Sequence, residues 1–351
     1  VPAEVEPTLL KLLGHPTIAS KRWVWRQYDH MVMAGTTVEP GSDAGVVHLA
    51  VAGIDKRLAI SNDCNNRFCF LDPYRGAQIA FAECMRNLAC SGARALAVTD
   101  NLNFGNPNKP EAYYMLKECV SGLADACEFF DVPVVGGNVS LYNEHGSGAI
   151  DPTPVVSMVG LIEKAEHVTR SFLPKGAEAL LLLGGLPHEL GGSHYLQVHT
   201  SLKEGKAPGI DLRAEKALQD FLLAQIAAGR VAAAHDVSEG GLLTALAEML
   251  FEDDSVGVDA TFPDVGPSRR MDALLFGESQ GRVLLAAPDD DTAAAILAAA
   301  EAAYVPAQRI GSADASGRMK VSIGGERVLD ASTSALCKTW TEAIPSVMDH
   351  A

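Results

Sequence analysis

Two α/β domains in succession are what this 351-residue sequence predicts, and three observations predict them. Between Arg57 and Lys164, short β-branched or apolar runs alternate with helix-length amphipathic stretches, the pattern of strand–helix–strand crossovers. The same alternation restarts at Ala179. Between the two lies VTRSFLPKGAE, which carries a proline and a glycine between apolar runs and puts the boundary near residues 170–176. The expected division is therefore 1–172 and 173–351.

In the first domain RLAIS reads as a strand, Gly76 to Ser91 as a helix and ALAVTD as the next strand. The stretch NLNFGNPNKP, with Gly105, Pro107 and Pro110, reads as a loop, and Glu111 to Phe130 as a second long helix. VPVVGG and PVVSMVGLIE are the last strands. In the second domain ALLLLGG is a strand, and LRAEKALQDFLLAQIAAG and GGLLTALAEMLFED are helices. GVDATF, GRVLLAAP and MKVSIGG read as further strands, with the alanine-rich helix DTAAAILAAAEAAY between the last two.

A net charge of −16 and no interleaving of aromatics with Lys or Arg exclude a nucleic-acid groove. The longest apolar stretch, around Ala179 to Leu183, is far below the roughly 20 residues of a membrane span. A soluble, cytoplasmic protein is expected. Seven cysteines without a CxxC pair argue against a disulfide framework or a zinc site, and reduced, mostly buried thiols are the expectation. The opening residue is Val1 and no targeting pattern follows it, so a segment upstream is expected.

Three stretches could carry chemistry. In TDNLNFGNP, Asp100 can accept hydrogen bonds or help hold a cation, and Asn101, Asn103 and Gly105 suit a close approach to a nucleotide, although an Asx-rich turn explains the composition equally well. In VVGGNVSLYNE, Gly136 and Gly137 leave a strand expected to be buried and deliver Asn138 and Ser140 on one face. Glycine N–H groups suit an anion, the Asn138 amide oxygen suits Mg²⁺, and the Ser140 hydroxyl suits a phosphate. The third set is LGGSHY, HDVSEGG and FGESQGR in the second domain. His235 beside Asp236 reads as a structural histidine, because adjacent residues rarely face each other.

The order and spacing of ASKRWVWRQYDH, PGSDAGVV, DPYRGA, DNLNFGNP, GGNVSLYNE, HDVSEGGL and FGESQGR resemble the C-terminal half of small-type phosphoribosylformylglycinamidine synthase, over nearly the whole chain. The resemblance implies an aminoimidazole-ribonucleotide-synthetase-like N-terminal domain followed by a C-terminal α/β domain. It implies an ATP-dependent ligase of purine biosynthesis in which ATP activates the amide oxygen of formylglycinamide ribonucleotide and glutamine-derived ammonia displaces phosphate. The implied partners are the other half of the polypeptide, a glutaminase subunit and a small bridging subunit.

By the same resemblance Asp100 and Gly137 are ATP contacts, Asn138 is a magnesium ligand and Ser140 a substrate contact. The family's catalytic motif, of the form E-S-H-N-H-P before E-P-Y-Q-G-A, aligns with Asp63 to Phe68, which puts Asn65 at the catalytic histidine position. Asparagine cannot act as a general base at neutral pH. No catalytic residue is therefore expected in this half. Asp63, Gly191, Gly192, Ser193, Asp236, Glu278, Ser279 and Gln280 form an auxiliary pseudo-site, structural or nucleotide-retaining, with His194 standing where an acidic residue is expected. A stand-alone ATP-dependent enzyme of the same superfamily and a non-catalytic nucleotide-binding scaffold are the competing readings. LAISNDCNNRF lacks the phosphate motif that the first of these requires.

Overall fold

The computed structural model describes residues 4–51, 53–146, 148–264 and 270–349. The first sheet contains β1 (Thr36–Val38), β2 (Gly45–Val51), β3 (Ile54–Asp63), β4 (Arg94–Asn103) and β5 (Val134–Ser140). After a hairpin of β6 (Glu144–His145) and β7 (Gly148–Ala149) it adds β8 (Thr153–Ile162). The order is β1-β2-β3-β8-β4-β5, with β4 and β5 parallel and β8 antiparallel to both of its neighbours. Both expected crossovers exist, but β8 is inserted between β3 and β4. The sheet is therefore mixed, because an apolar alternation announces a strand without its direction. The strands β1 and β2 and the extension of β4 to Asn103 were not foreseen.

Two helices, α1 (Val5–Leu13) and α2 (Arg22–Trp25), precede this sheet. Three more, α3 (Asn66–Leu71), α4 (Pro73–Cys90) and α5 (Pro110–Phe130), follow its strands. Helix α4 starts earlier than expected, since the Asp72 carboxylate accepts a bond from the Arg75 N–H at 3.0 Å and Pro73 occupies the first helical position. Helices α4 and α5 pack tightly against each other. A Cβ at position 122 would lie 2.2 Å from the Tyr74 carbonyl oxygen, so glycine is required there. On the side away from these helices Ile60 stays 49% exposed beside Val159.

The second sheet joins β9 (Ala179–Leu183), β10 (Ala233–Asp236), β11 (Gly257–Phe262), β12 (Val283–Ala287), β13 (Ala307–Asp314), β14 (Arg318–Ile323) and β15 (Glu326–Ser332). Its order is β10-β12-β9-β13-β11-β14-β15, antiparallel except for β11 with β14. The run ALLLL is buried on both faces. Leu180 and Leu182 enter one core and Leu181 and Leu183 the other, which is why the sequence shows no alternation there. Around the sheet lie α6 (His194–Thr200), α7 (Leu212–Ala227), α8 (Gly241–Glu248), α9 (Met271–Phe276), α10 (Asp290–Ala302) and α11 (Thr333–Met348). Helix α1 packs here, with Leu9, Leu12 and Leu13 in the same core as Leu246 and Leu336. By packing, then, the first helix sits with the second domain, although the division at 172 counts it with the first.

Two polar junctions fasten the domains. Arg86 on α4 has no exposed surface; it donates to Glu215 at 2.6 Å, to Gln280 at 3.1 Å and to Asp236, with Glu83 at 3.5 Å. Burial pulls its pKa down, but Asp236 and Glu215 outweigh that and hold it well above the usual value. Nearby, His235 Nδ1 lies 3.1 Å from both oxygens of Asp43, and its Nε2 lies 3.2 Å from Glu248. Burial opposes the charged imidazole, yet the two carboxylates raise its pKa well above 6.5.

Replacing Arg86 by Leu strands three buried carboxylates, and unfolding in urea should show a loss of about 3–5 kcal/mol. A loss under about 1 kcal/mol would remove the junction from this role. For His235 the folded pKa is raised, so its stabilisation is complete below the unfolded value near 6.5 and is lost as pH rises through the folded value. The melting-temperature advantage of wild type over His235→Gln should therefore be largest near pH 6 and shrink towards pH 9. An advantage that grows with pH contradicts the assignment.

Candidate functional site

The parallel pair β4–β5 sets the first constellation by register: Asp100 lies opposite Gly137, Asn101 opposite Asn138 and Asn103 opposite Ser140. Because side chains alternate, the four singled-out residues divide between two faces. Asn138 donates through Nδ2 to Asn101 Oδ1 at 3.0 Å and to Ser140 Oγ at 3.2 Å, forming a polar row on the uncovered face. This commits the nitrogen end of the amide and offers its oxygen outward. Strand β5 was expected to be buried; it is the sheet edge and is exposed from Val134 to Val139. A strand at an edge has one side of its backbone free to meet a ligand or another chain.

Asp100 and Gly137 belong to the opposite, helix-covered face. A Cβ at position 137 would sit 2.7 Å from Asp100 Oδ1, so glycine is what lets the carboxylate lie across β5. Behind it is a cavity of about 310 Å³ walled by Phe81, Val98, Leu102, Leu123, Cys127 and Val134. Partial burial in this apolar wall raises the Asp100 pKa. The structure thus pairs Asp100 with Gly137 and Asn138 with Ser140, and brings the two pairs together only across the thickness of an edge strand.

The pseudo-site residues gather at the domain junction. Glu278 Oε1 accepts the backbone N–H groups of His194 and Gly240, both at 2.8 Å, and lies 3.1 Å from His194 Nδ1. One carboxylate oxygen therefore serves the first turns of α6 and α8. Burial disfavours a charged His194, but Glu278 outweighs it and raises the pKa. Ser193 caps α6, and Arg67 donates to the Gly192 carbonyl at 2.8 Å and the Leu202 carbonyl at 3.0 Å, tying the Gly191–Gly192 loop to α3. Gln280 accepts from Arg86, while the buried Ser279 hydroxyl has no partner among the described residues.

Asp63 and Glu83 are raised well above ordinary carboxyl values by burial first and by neighbouring acids second. Asn65, expected at the catalytic histidine position, accepts the Arg67 and Phe68 N–H groups at 3.2 Å each and donates to Glu239 at 3.2 Å. Its whole amide is engaged in capping α3 and in bridging the domains. Among the described residues no group of three or more His, Cys, Asp or Glu could hold a metal ion.

Sequence reasoning missed Arg86, Glu83, Asp43 and Glu239. Glu83 and Arg86 carried a usable signal, an acid and a base three residues apart in a helix whose flanks are alanine and cysteine. His235 does not face the adjacent Asp236, as its sequence context suggests: its partners are Asp43 and Glu248. All seven cysteines are free. No helix among the described residues is long and apolar enough to cross a membrane.

Comparison with known proteins bears on both domains. The family model described as AIR synthase related protein, N-terminal domain, matches residues 41–162, and the corresponding C-terminal domain matches residues 178–324. Phosphoribosylformylglycinamidine synthase subunit PurL of Salinibacter ruber is 45% identical over 99% of this chain, and that of Anaeromyxobacter dehalogenans 43% over 99%. The chain spans 46% of the length of each of these relatives. Among solved structures, Thermotoga maritima PurL complexed with FGAR superposes with a TM-score of 0.77 at 19% identity, covering 96% of this chain and 54% of that one. The same protein complexed with ATP gives 0.70 at 21% identity, covering 95% and 52%, which speaks to the fold alone. With that family's N-terminal and C-terminal domains following one another along the sequence, the chain belongs to the AIR synthase related proteins.

Proposed function

We propose that this chain is the second half of an ATP-dependent synthetase that converts formylglycinamide ribonucleotide, ATP and glutamine-derived ammonia to the formylglycinamidine, ADP and phosphate in purine biosynthesis. Supporting this are relatives named phosphoribosylformylglycinamidine synthase subunit PurL at 43–45% identity. The observation that carries the residue assignment is the division of the β4–β5 edge, with Asp100 over Gly137 on one face and Asn138 with Ser140 on the other. A nucleotide laid across the exposed edge strand meets both pairs. The apolar cavity beside Asp100 suits a base, and the carboxylate suits an amine or ribose hydroxyl.

On this reading Gly137 allows close backbone approach, and Ser140 hydrogen-bonds the ribonucleotide. Asn138 offers one neutral oxygen, which fits Mg²⁺, an ion that commonly takes one or two protein ligands beside phosphate and water. Bound there, the ion would offset phosphate charge during transfer. The general base belongs to the other half, since Asn65 is committed to its helix cap. The uncovered sheet face around Ile60 and β5 is where that half docks. A glutaminase subunit and a small bridging subunit complete the assembly, which works in the cytoplasm; a neighbouring solved structure, that of PurLQS from Thermotoga maritima, fits such an assembly.

In the enzyme restored with its other half, Asn138→Leu should lower turnover by one to three orders of magnitude, about 1.4 kcal/mol per tenfold. Asp100→Asn should mainly raise the Michaelis constant for ATP. Steady-state kinetics with ATP varied at saturating ribonucleotide checks both, and an unchanged Asn138→Leu enzyme would move the working site elsewhere. The isolated chain, given ATP, Mg²⁺, formylglycinamide ribonucleotide and ammonium, should form no amidine; multiple turnovers would overturn the half-enzyme reading.

A further inference from the structure

The start of α3 is built from sulfur. Asn65 is its N-cap, which makes Cys64 the residue before the cap and Cys69 the fourth residue of the helix. Side chains at those two positions pack on one another at many helix starts, usually as an aliphatic staple. Here the staple positions hold a pair of thiols: Cys64 packs against the core of the first domain that contains both Cys69 and, on α5, Cys119. Cys69 and Cys119 are fully buried in the core of the first domain, whereas Cys64 is partly exposed at its margin. An oxidant arriving from solvent therefore reaches Cys64 first.

We propose that Cys64 and Cys69 form a redox-sensitive pair that a peroxide closes to a disulfide, converting the apolar staple at the start of α3 into a covalent one. In the first step the Cys64 sulfur attacks one peroxide oxygen and the O–O bond breaks. The departing hydroxide takes up the thiol proton as water, leaving a sulfenic acid. In the second step the Cys69 sulfur attacks the Cys64 sulfur, the S–O bond breaks, and the Cys69 proton leaves with the hydroxyl as a second water. Two thiols supply the two electrons that reduce one peroxide. Because the cap between them, Asn65, also donates to Glu239 at 3.2 Å, the link fixes the segment that bridges the two domains.

The test uses the full chain, folded, with equimolar hydrogen peroxide, followed by alkylation of remaining thiols and peptide mapping by mass spectrometry. A peptide joining Cys64 to Cys69, lighter by two hydrogens and released by dithiothreitol, is expected. Slower hydrogen exchange at the Arg67 and Phe68 amides should accompany it. Cys64→Ser should abolish the link. Cys69→Val, which keeps the core filled, should leave Cys64 as a sulfenic acid that dimedone traps. Wild-type protein in which Cys64 remains alkylatable after the peroxide is consumed, or in which Cys69 joins Cys119 while Cys64 stays free, overturns the proposal.

Discussion

A guanidinium without exposed surface, Arg86, faces Asp236 and Glu215 from the second domain and Glu83 from its own helix, and the relative placement of the two sheets depends on that contact. Charges taken out of water need partners in fixed positions, so such a network dictates geometry wherever it occurs. Helix α4 can carry it because its end already belongs to both cores: Cys84 and Leu88 pack with the first sheet, Ala89 and Cys90 with the second. The loops at the junction follow from it. Gln280 binds Arg86, the neighbouring Glu278 holds the starts of α6 and α8, and Arg67 ties the 191–193 loop to α3.

This junction gathers the residues of the expected auxiliary site, and most of its polar groups are committed to one another, the Ser279 hydroxyl and Glu278 Oε2 excepted. Asn65 has spent both ends of its amide, and Arg86 and His194 balance the acids around them. The exposed edge of the first sheet has the opposite character. Its Asn138–Ser140 row is open to solvent, and the Asp100 carboxylate lies over a glycine beside an apolar cavity. The edge sets Asp100 beside an apolar cavity of about 310 Å³, whereas Ser279 and Gln280 of the junction line a separate cavity of about 460 Å³.

Much of this was legible in the sequence where local rules decide. The long helices follow from amphipathic spacing, and the free cysteines from their number and spacing. Asn138 and Ser140 share a face because strands alternate. What remained hidden was non-local. The insertion of β8 between β3 and β4 is a pairing choice that PVVSMVGLI cannot announce. The exposure of β5 depends on its being last in the sheet, so VPVVGG reads as buried when taken alone. The separation of Asp100 from Asn138 onto opposite faces depends on β4 running on to Asn103, where NLNFGNP looks like a loop. Arg86 and its acids come together only through tertiary packing.

The most direct measurement of where nucleotide binds is photo-crosslinking of 8-azido-ATP with Mg²⁺ to the enzyme restored with its other half, followed by peptide mapping. Label is expected on the walls of the cavity beside Asp100, within residues 98–102, 123–127 or 134–137, displaced by unlabelled ATP. Displaceable label concentrated instead on residues 191–194 or 278–280 would contradict it, and would make the domain junction the nucleotide site.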